Sequence, residues 1–219
     1  AAFPNGNHYV IRFDGSDGLR LTNASATQLN DFNIFIVASY DEGSLDKRVF
    51  GNYSHGTGSV QYGYAFGTTG DHPMWWYGSS ALTTGSYEAE KNYLTVYTLE
   101  NSNYKELYNF HEVNGIGIGS ADYAEETSTA PIQYHNDPEL PPHYSDIGIV
   151  WVEGEGGWFG AHTGDIAEIL VYDTTDPDFL ALNDPNAAFD GVRDYVTEKY
   201  GMNTSMVPLG IEPDPDIDA

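Results

Sequence analysis

The chain contains no cysteine, so neither a disulfide framework nor a thiolate metal site is available to it. Basic residues are scarce as well: 8 Lys plus Arg stand against 33 Asp plus Glu, a formal net charge of −25 at pH 7. Such a field repels nucleic acid and anionic membrane surfaces, which excludes a nucleic-acid-binding role. Long apolar runs are also missing. The longest, Ile34 to Ala38, falls far short of the ~20 residues that cross a bilayer as a helix, so no membrane insertion is expected. No signal peptide is legible in the opening AAFPNGNHYV, and the start without Met together with the ending GIEPDPDIDA suggests a piece of a longer polypeptide with neighbouring domains. The chain has no G-x-S-x-G elbow, and its 7 histidines are dispersed without an H-E-x-x-H pair, which removes the commonest serine-hydrolase and zinc-protease signatures.

What is present points to strands. The 24 glycines and 17 tyrosines, with frequent Asn, Ser and Thr, favour short strands joined by tight turns, because Gly and Asn supply the positive φ angles that turns need. With 219 residues of which 40% are hydrophobic, one core and one all-β domain are expected over residues 1–203. Residues 204–219, where Asp alternates with Pro, read as an extended acidic linker or tail. The acid excess itself has two readings, a solubilising surface as in a salt-adapted organism, or calcium sites.

Along the chain, HYVIRFDGSDGLRL reads as two short strands about a turn at Asp14 to Gly18, a hairpin signature. FNIFIVASY, Phe32 to Tyr40, is nearly continuous in apolar and β-branched residues and should lie centrally. RVFGNY, SVQYGYAFG, PMWWYG, NYLTVYTL and YKELYNFHEVNGIGIG supply further strands, with Asn114-Gly115 as a hairpin turn. Two more are expected at Ile147 to Val152 and Asp165 to Tyr172. From Ser120 to Ser145 no strand period persists, and the segment reads as a long ordered binding loop carrying Tyr123, Tyr134, His135, His143 and Tyr144. Asp184 and Pro185 open a helix whose Phe189, Val192 and Val196 recur at helical spacing until Gly201, a stripe that packs on the edge of the sandwich.

Taken in order, IRFDGSDGLRL, FNIFIVASY, RVFGN, VNGIGIGS, WFGAHTGDIAEILVYD and a final YVTEKYGM resemble the laminin-G-like modules of the concanavalin A-like lectin/glucanase superfamily, over most of residues 8 to 203. The resemblance implies a jelly-roll sandwich of two curved antiparallel sheets with one short C-terminal helix. It also implies a concave face that receives glycans and a convex face that carries a structural calcium. On that basis Asp165 is the leading metal ligand, with backbone carbonyls around Phe13 to Gly15; Asp14, Gly15 and Asp17 are secondary, the two acids also serving as ordinary turn residues. Glu168, set among Ile166, Leu170 and Tyr172, must be hydrogen-bonded or ion-paired, with Arg12, Arg20, Arg48 or Arg193 as the available arginines.

Three functions suit such a module. A noncatalytic carbohydrate-binding, lectin-like unit of a large secreted or cell-surface bacterial protein, such as an adhesin or a polysaccharide-degrading enzyme, would bind a polysaccharide or cell-surface glycan. Its sugar would stack on flat rings, for which Trp75, Trp76, Tyr77, Trp151 and Trp158 are candidates; each is equally a core candidate. His72, Tyr134 and His135 are further ligand-binding candidates. His72 and His162 also read as exposed loop histidines. The second function is a protein-interaction or spacer module with calcium serving rigidity alone. The third, a glycan-cleaving enzyme, needs two carboxylates about 5–9 Å apart. The nearest approach, Glu153 and Glu155 in WVEGEGGWF, sits in a glycine-rich stretch, and the ExDxE type of run is absent. Eight cations are too few to cradle a polyanionic substrate.

Overall fold

The computed structural model describes residues 8–21, 28–41, 47–52, 54–55, 61–77, 80–89, 91–101, 103–112, 118–127, 132–134, 144–152, 157–176 and 185–202. Strands are numbered in chain order. One six-stranded antiparallel sheet runs β1 (Ile11–Asp14), β16 (Thr163–Asp173), β3 (Phe32–Ser39), β10 (Asn92–Glu100), β11 (Tyr104–Glu112), β12 (Ile118–Thr127). A second runs β2 (Leu19–Leu21), β13 (Ser145–Ile147), β4 (Arg48–Gly51), β7 (Tyr64–Thr69), β8 (His72–Tyr77), β9 (Ser80–Thr83). Among the described residues, two small hairpins, β5 (Ser54–His55) with β6 (Gln61–Tyr62) and β14 (Val150–Val152) with β15 (Gly157–Phe159), and one helix, α1 (Pro185–Tyr200), accompany the two sheets. It is the expected two-sheet β-sandwich jelly roll with a short C-terminal helix.

The core lies between the sheets. Phe32, Ile34, Ile36 and Ala38 of β3 meet Phe50, Tyr64, Phe66 and Trp75 of the second sheet, with the Phe66 and Tyr97 rings 4.0 Å apart and Phe32 5.7 Å from Trp75. The alternate residues of β3, Phe35 and Val37, point the other way and form a second cluster with Leu94, Val96, Phe110 and the helix residues Val192, Val196 and Tyr200. Both faces of β3 are thus covered, which is why its sequence is an unbroken apolar run and all eight of its residues are buried. No helix among the described residues is long and apolar enough to cross a membrane.

Four expectations need correction. β1 and β2 are not a hairpin: they sit in different sheets, β1 pairing with β16 and β2 with β13. The intervening turn, where Asp14 accepts from the backbone N–H and hydroxyl of Ser16 and Gly15 takes a φ of 90°, carries the chain from one sheet to the other. The helix packs across the outer face of the first sheet rather than its edge, because Phe35, Val37, Leu94 and Val96 offer it an apolar surface there. Residues 120–127 are not loop; they complete β12, an edge strand whose polar residues on both faces hide the period of two. The strand expected from Ile147 to Val152 is two, β13 and β14. β11 and β12 are antiparallel neighbours as expected, although Asn114-Gly115 itself, like His135, His143, Glu153, Glu155, Asp184 and residues 204–219, lies outside the described residues.

Candidate functional site

Because consecutive side chains of a strand point to opposite faces, burial of Trp75 in the core turns Trp76 outward. Cross-strand pairing then aligns six residues in one row over the outer face of the second sheet: Arg20, Asp146, Gly51, Ala65, Trp76 and Ala81. A neighbouring row holds Arg48, Gly67, Met74 and Thr83. The floor of this face is flat by necessity. A Cβ added at Gly51 would lie 2.6 Å from the Tyr64 carbonyl oxygen, and one at Gly67 would lie 1.9 Å from that of Lys47. Within its own row Trp76 is a large ring flanked by the small Ala65 and Ala81.

The face is open at one end. Arg48, Ala65 and Met74 are buried, Trp76 is half-buried, and Ala81 and Thr83 on the edge strand β9 are exposed. Arg48 holds its guanidinium 4.5 Å from the centre of the Trp76 ring and donates from Nη1 to the carbonyls of Lys47 and Thr68. At the opposite end Arg20 lies over the Tyr144 ring at 4.4 Å and makes a two-pronged bond to the buried Asp146, 2.7 Å from Nε and 3.0 Å from Nη2. An indole backed by a cation over one of its faces, with small side chains beside it, is the kind of flat aromatic surface on which the C–H face of a ring-shaped polyol stacks, and the Thr83 hydroxyl offers a donor and an acceptor nearby.

The other candidates fall in different places. Trp75 is fully buried, ringed by Phe32, Phe66 and Tyr97, and offers no stacking face to solvent. His72 lies on the outer face of β8 and is exposed, its ring held between the Gly85 carbonyl oxygen and Asp71. Tyr134 donates to the Leu29 carbonyl oxygen at 2.8 Å and packs against the core. With the Gly63 N–H bonded to the Gln133 carbonyl, it anchors residues 132–134. The side chains of Tyr77, Trp151 and Trp158 lie outside the described residues.

Asp165 stands directly opposite Arg12 in the β1–β16 pairing and 3.4 Å from its guanidinium, whose other end bonds Asp41. Asp14 serves its own turn, and Gly15 is the positive-φ residue beside it. Among the described residues no group of three or more His, Asp or Glu is gathered to hold a metal ion; Arg12 supplies the positive charge next to Asp165. His162, expected as a loop histidine exposed to solvent, is instead fully buried against Phe13 and Tyr40. Neither ring nitrogen has a hydrogen-bond partner among the described residues, and burial pushes its pKa down to about 4.

A second aromatic surface lies on the first sheet, beside the helix. Tyr108 and Tyr123 face each other across the β11–β12 pair with rings 4.8 Å apart. The Tyr123 hydroxyl donates to Glu106 at 2.9 Å and also contacts Glu125, to which Tyr104 donates at 2.6 Å. These bonds hold the Glu125 carboxyl below its ordinary range. The hydroxyls of Tyr104 and Tyr123 are thus engaged with carboxylates of their own sheet.

Sequence reasoning missed the Arg48–Trp76 contact and the row through Gly51, Ala65 and Ala81. A signal existed: Ala65 and Gly67 stand two apart in AFGTT, as a small-residue face of a strand requires, and the adjacent Trp75 and Trp76 must point to opposite faces.

No family model matches the chain, and no curated protein matches it. Solved structures do. The CBM40 unit of the Ruminococcus gnavus IT-sialidase, solved bound to alpha2,3 sialyllactose, superposes with a TM-score of 0.58 at 12% identity, covering 75% of this chain and 89% of that one. A mutant NanB sialidase from Streptococcus pneumoniae gives a TM-score of 0.53 at 12% identity over 78% of this chain and 26% of that one. The LG1–3 region of the laminin alpha2 chain gives 0.50 at 9% over 78% and 33%. This chain is thus about as long as the first of these and spans only a part of the other two. These likenesses establish that its fold is a concanavalin A-like, laminin-G-like jelly roll.

Proposed function

We propose that this jelly roll is a noncatalytic carbohydrate-binding module of a larger secreted or cell-surface protein, and that glycan docks at the β8–β9 end of the outer face of the second sheet. The half-buried Trp76, set on a flat floor and open toward Ala81 and Thr83, is the observation that carries this reading. The shared fold with a CBM40 carbohydrate-binding module bound to a sialylated sugar supports it. Sugar stacked on the ring and hydrogen-bonded to neighbouring hydroxyl and backbone groups is the ordinary mode for such a surface.

Trp76→Ala should abolish glycan binding on an array or by calorimetry while leaving the melting temperature within a few degrees. Tyr123→Ala, on the other sheet, should leave binding intact. Binding that survives Trp76→Ala and fails with Tyr123→Ala would move the site to the first sheet. Trp75→Ala should instead destabilise the fold by about 3–5 kcal/mol, the usual range for a fully buried Trp.

A second reading, a protein-interaction or spacer module, is favoured by one observation. Tyr9, Val10 and Ile11 in and beside β1, and Leu19 and Leu21 on β2, are exposed large apolar residues on the edge strands of both sheets, where a neighbouring domain could pack. Structural calcium belongs to either reading. A divalent ion at Asp165 would replace Arg12 as its counter-charge, so calcium should raise the melting temperature of the parent protein and leave that of Asp165→Ala unmoved. Equal melting of the parent in calcium and in chelator would remove the ion from the proposal.

A further inference from the structure

The chain has only 8 cations, and the structure shows how nearly all of them are used. Arg12 bonds Asp41 and Asp165. Arg20 is clamped by both oxygens of Asp146. Arg48 is buried, donates to two backbone carbonyls and covers Trp76. Lys91 pairs with Glu88 at 2.6 Å, Arg193 with Asp190 at 2.9 Å, and Lys199 with Glu168 at 3.1 Å. Lys105 is buried and donates to the Asn103 carbonyl oxygen. Only Lys47 stands outside this accounting.

An acidic sugar is recognised by a guanidinium or ammonium free to meet its carboxylate, most strongly through a two-pronged arginine. The two arginines on the outer face of the second sheet are spent. Arg20 already makes that two-pronged bond to the chain's own Asp146, and an incoming carboxylate would have to compete with a buried, pre-placed one. Arg48 is turned inward onto backbone. Around both lies a protein of net charge −25, whose field raises the free energy of any approaching anion at low ionic strength. What the face offers is an aromatic ring, small apolar groups and neutral hydroxyl and carbonyl groups, which match a sugar that bears hydroxyls alone.

We infer that this module selects uncharged oligosaccharides and discriminates against carboxylated or sulfated ones, in contrast to the structurally similar unit that was solved with sialyllactose. The inference rests on the glycan-binding reading and adds the chemical class of the ligand. It assigns Arg48 a positioning role: the guanidinium fixes the Trp76 ring rather than meeting a ligand anion.

The test is an array that carries each neutral oligosaccharide beside its sialylated, uronate-bearing and sulfated derivatives, read at 20 mM and at 0.5 M NaCl, with hits titrated by calorimetry. The expected result is binding to one or more neutral glycans, with acidic derivatives weaker by about tenfold or more at low salt and that gap narrowing at high salt as screening removes the repulsion. Lys47→Ala should leave this pattern unchanged. An acidic derivative that binds at 20 mM NaCl as tightly as its neutral parent would overturn the inference and leave glycan binding standing, as would acid-specific binding lost in Lys47→Ala. No binding to any glycan at either salt concentration would overturn both the inference and the reading beneath it.

Discussion

His162 is a buried imidazole with neither nitrogen bonded among the described residues, enclosed by Phe13 and Tyr40 and within electrostatic reach of Asp41, Asp165, Lys47 and Arg12. Burial holds its pKa near 4, below the ordinary value of about 6.5. Between those two values the unfolded chain binds a proton that the folded chain refuses, so stability rises with pH across that window and is lost on acidification through it, on the order of 3 kcal/mol in all. His162→Phe should keep the ring contacts, flatten this slope and move the acid-unfolding midpoint to lower pH. An unchanged acid transition would show that carboxylates alone govern it. Glu168 illustrates the opposite solution. It accepts from Lys199 through both oxygens at 3.1 Å, and from the hydroxyls of Tyr195 and Tyr200 at 2.9 Å each. Its partner is a lysine of the helix and none of the four arginines. Glu168→Ala should destabilise by about 1–3 kcal/mol in urea unfolding, because it leaves the Lys199 ammonium with a lost charge-assisted bond.

At the scale of elements, β16 shows how far a strand can be read from its letters. Its existence is plain in GDIAEILVYD, but strict alternation would set Asp165, Ala167, Ile169 and Val171 on one face. The register against β3 instead shifts between Ile166 and Glu168. Ile166 faces the inter-sheet core, Ala167 turns toward the helix, and after the irregularity Ile169 and Val171 face the core while Leu170 and Tyr172 join the helix side. A bulge adds one residue and reverses the parity of all that follow, and nothing in the local composition marks it. The same limit applied to β1 and β2, where the turn chemistry of Asp14 to Gly18 was legible but its destination, a different sheet, was set by distant partners. For the candidate face, Trp75 and Trp76 could be named from the sequence, yet only the register decided which of them faces outward. The helix gives an element-scale prediction. Val196 is wholly buried beneath it, so Val196→Asp should release α1 from Phe35, Val37, Leu94 and Val96, destabilise by about 3 kcal/mol or more, and raise hydrogen exchange in residues 190–200 first. Uniform exchange over the whole chain would mean that helix and sandwich unfold as one unit.

The molecule as a whole carries an excess of negative charge that its few cations offset only locally, so its folded state is under self-repulsion wherever salt is low. The melting temperature at pH 7 should climb by several degrees between 0.02 and 0.5 M NaCl, and most of that rise should come before about 0.3 M, where the screening length falls below the spacing of neighbouring surface charges. A flat response would show that the acids are already neutralised, by bound divalent ions or one another's protons. Sequence composition made this property readable without any coordinates, since charge is additive and needs no register. Closure of the first sheet depends instead on Ile11 meeting Ile166. During synthesis the amino-terminal strand therefore leaves the ribosome long before the strand it must join, and its neighbour on β16's other side, β3, also waits for that late arrival. The last step of assembly is consequently the insertion of β16 between β1 and β3, and refolding should be slow, in the millisecond-to-second range of distantly wired β proteins, with truncations ahead of Thr163 trapped as unclosed, aggregation-prone intermediates.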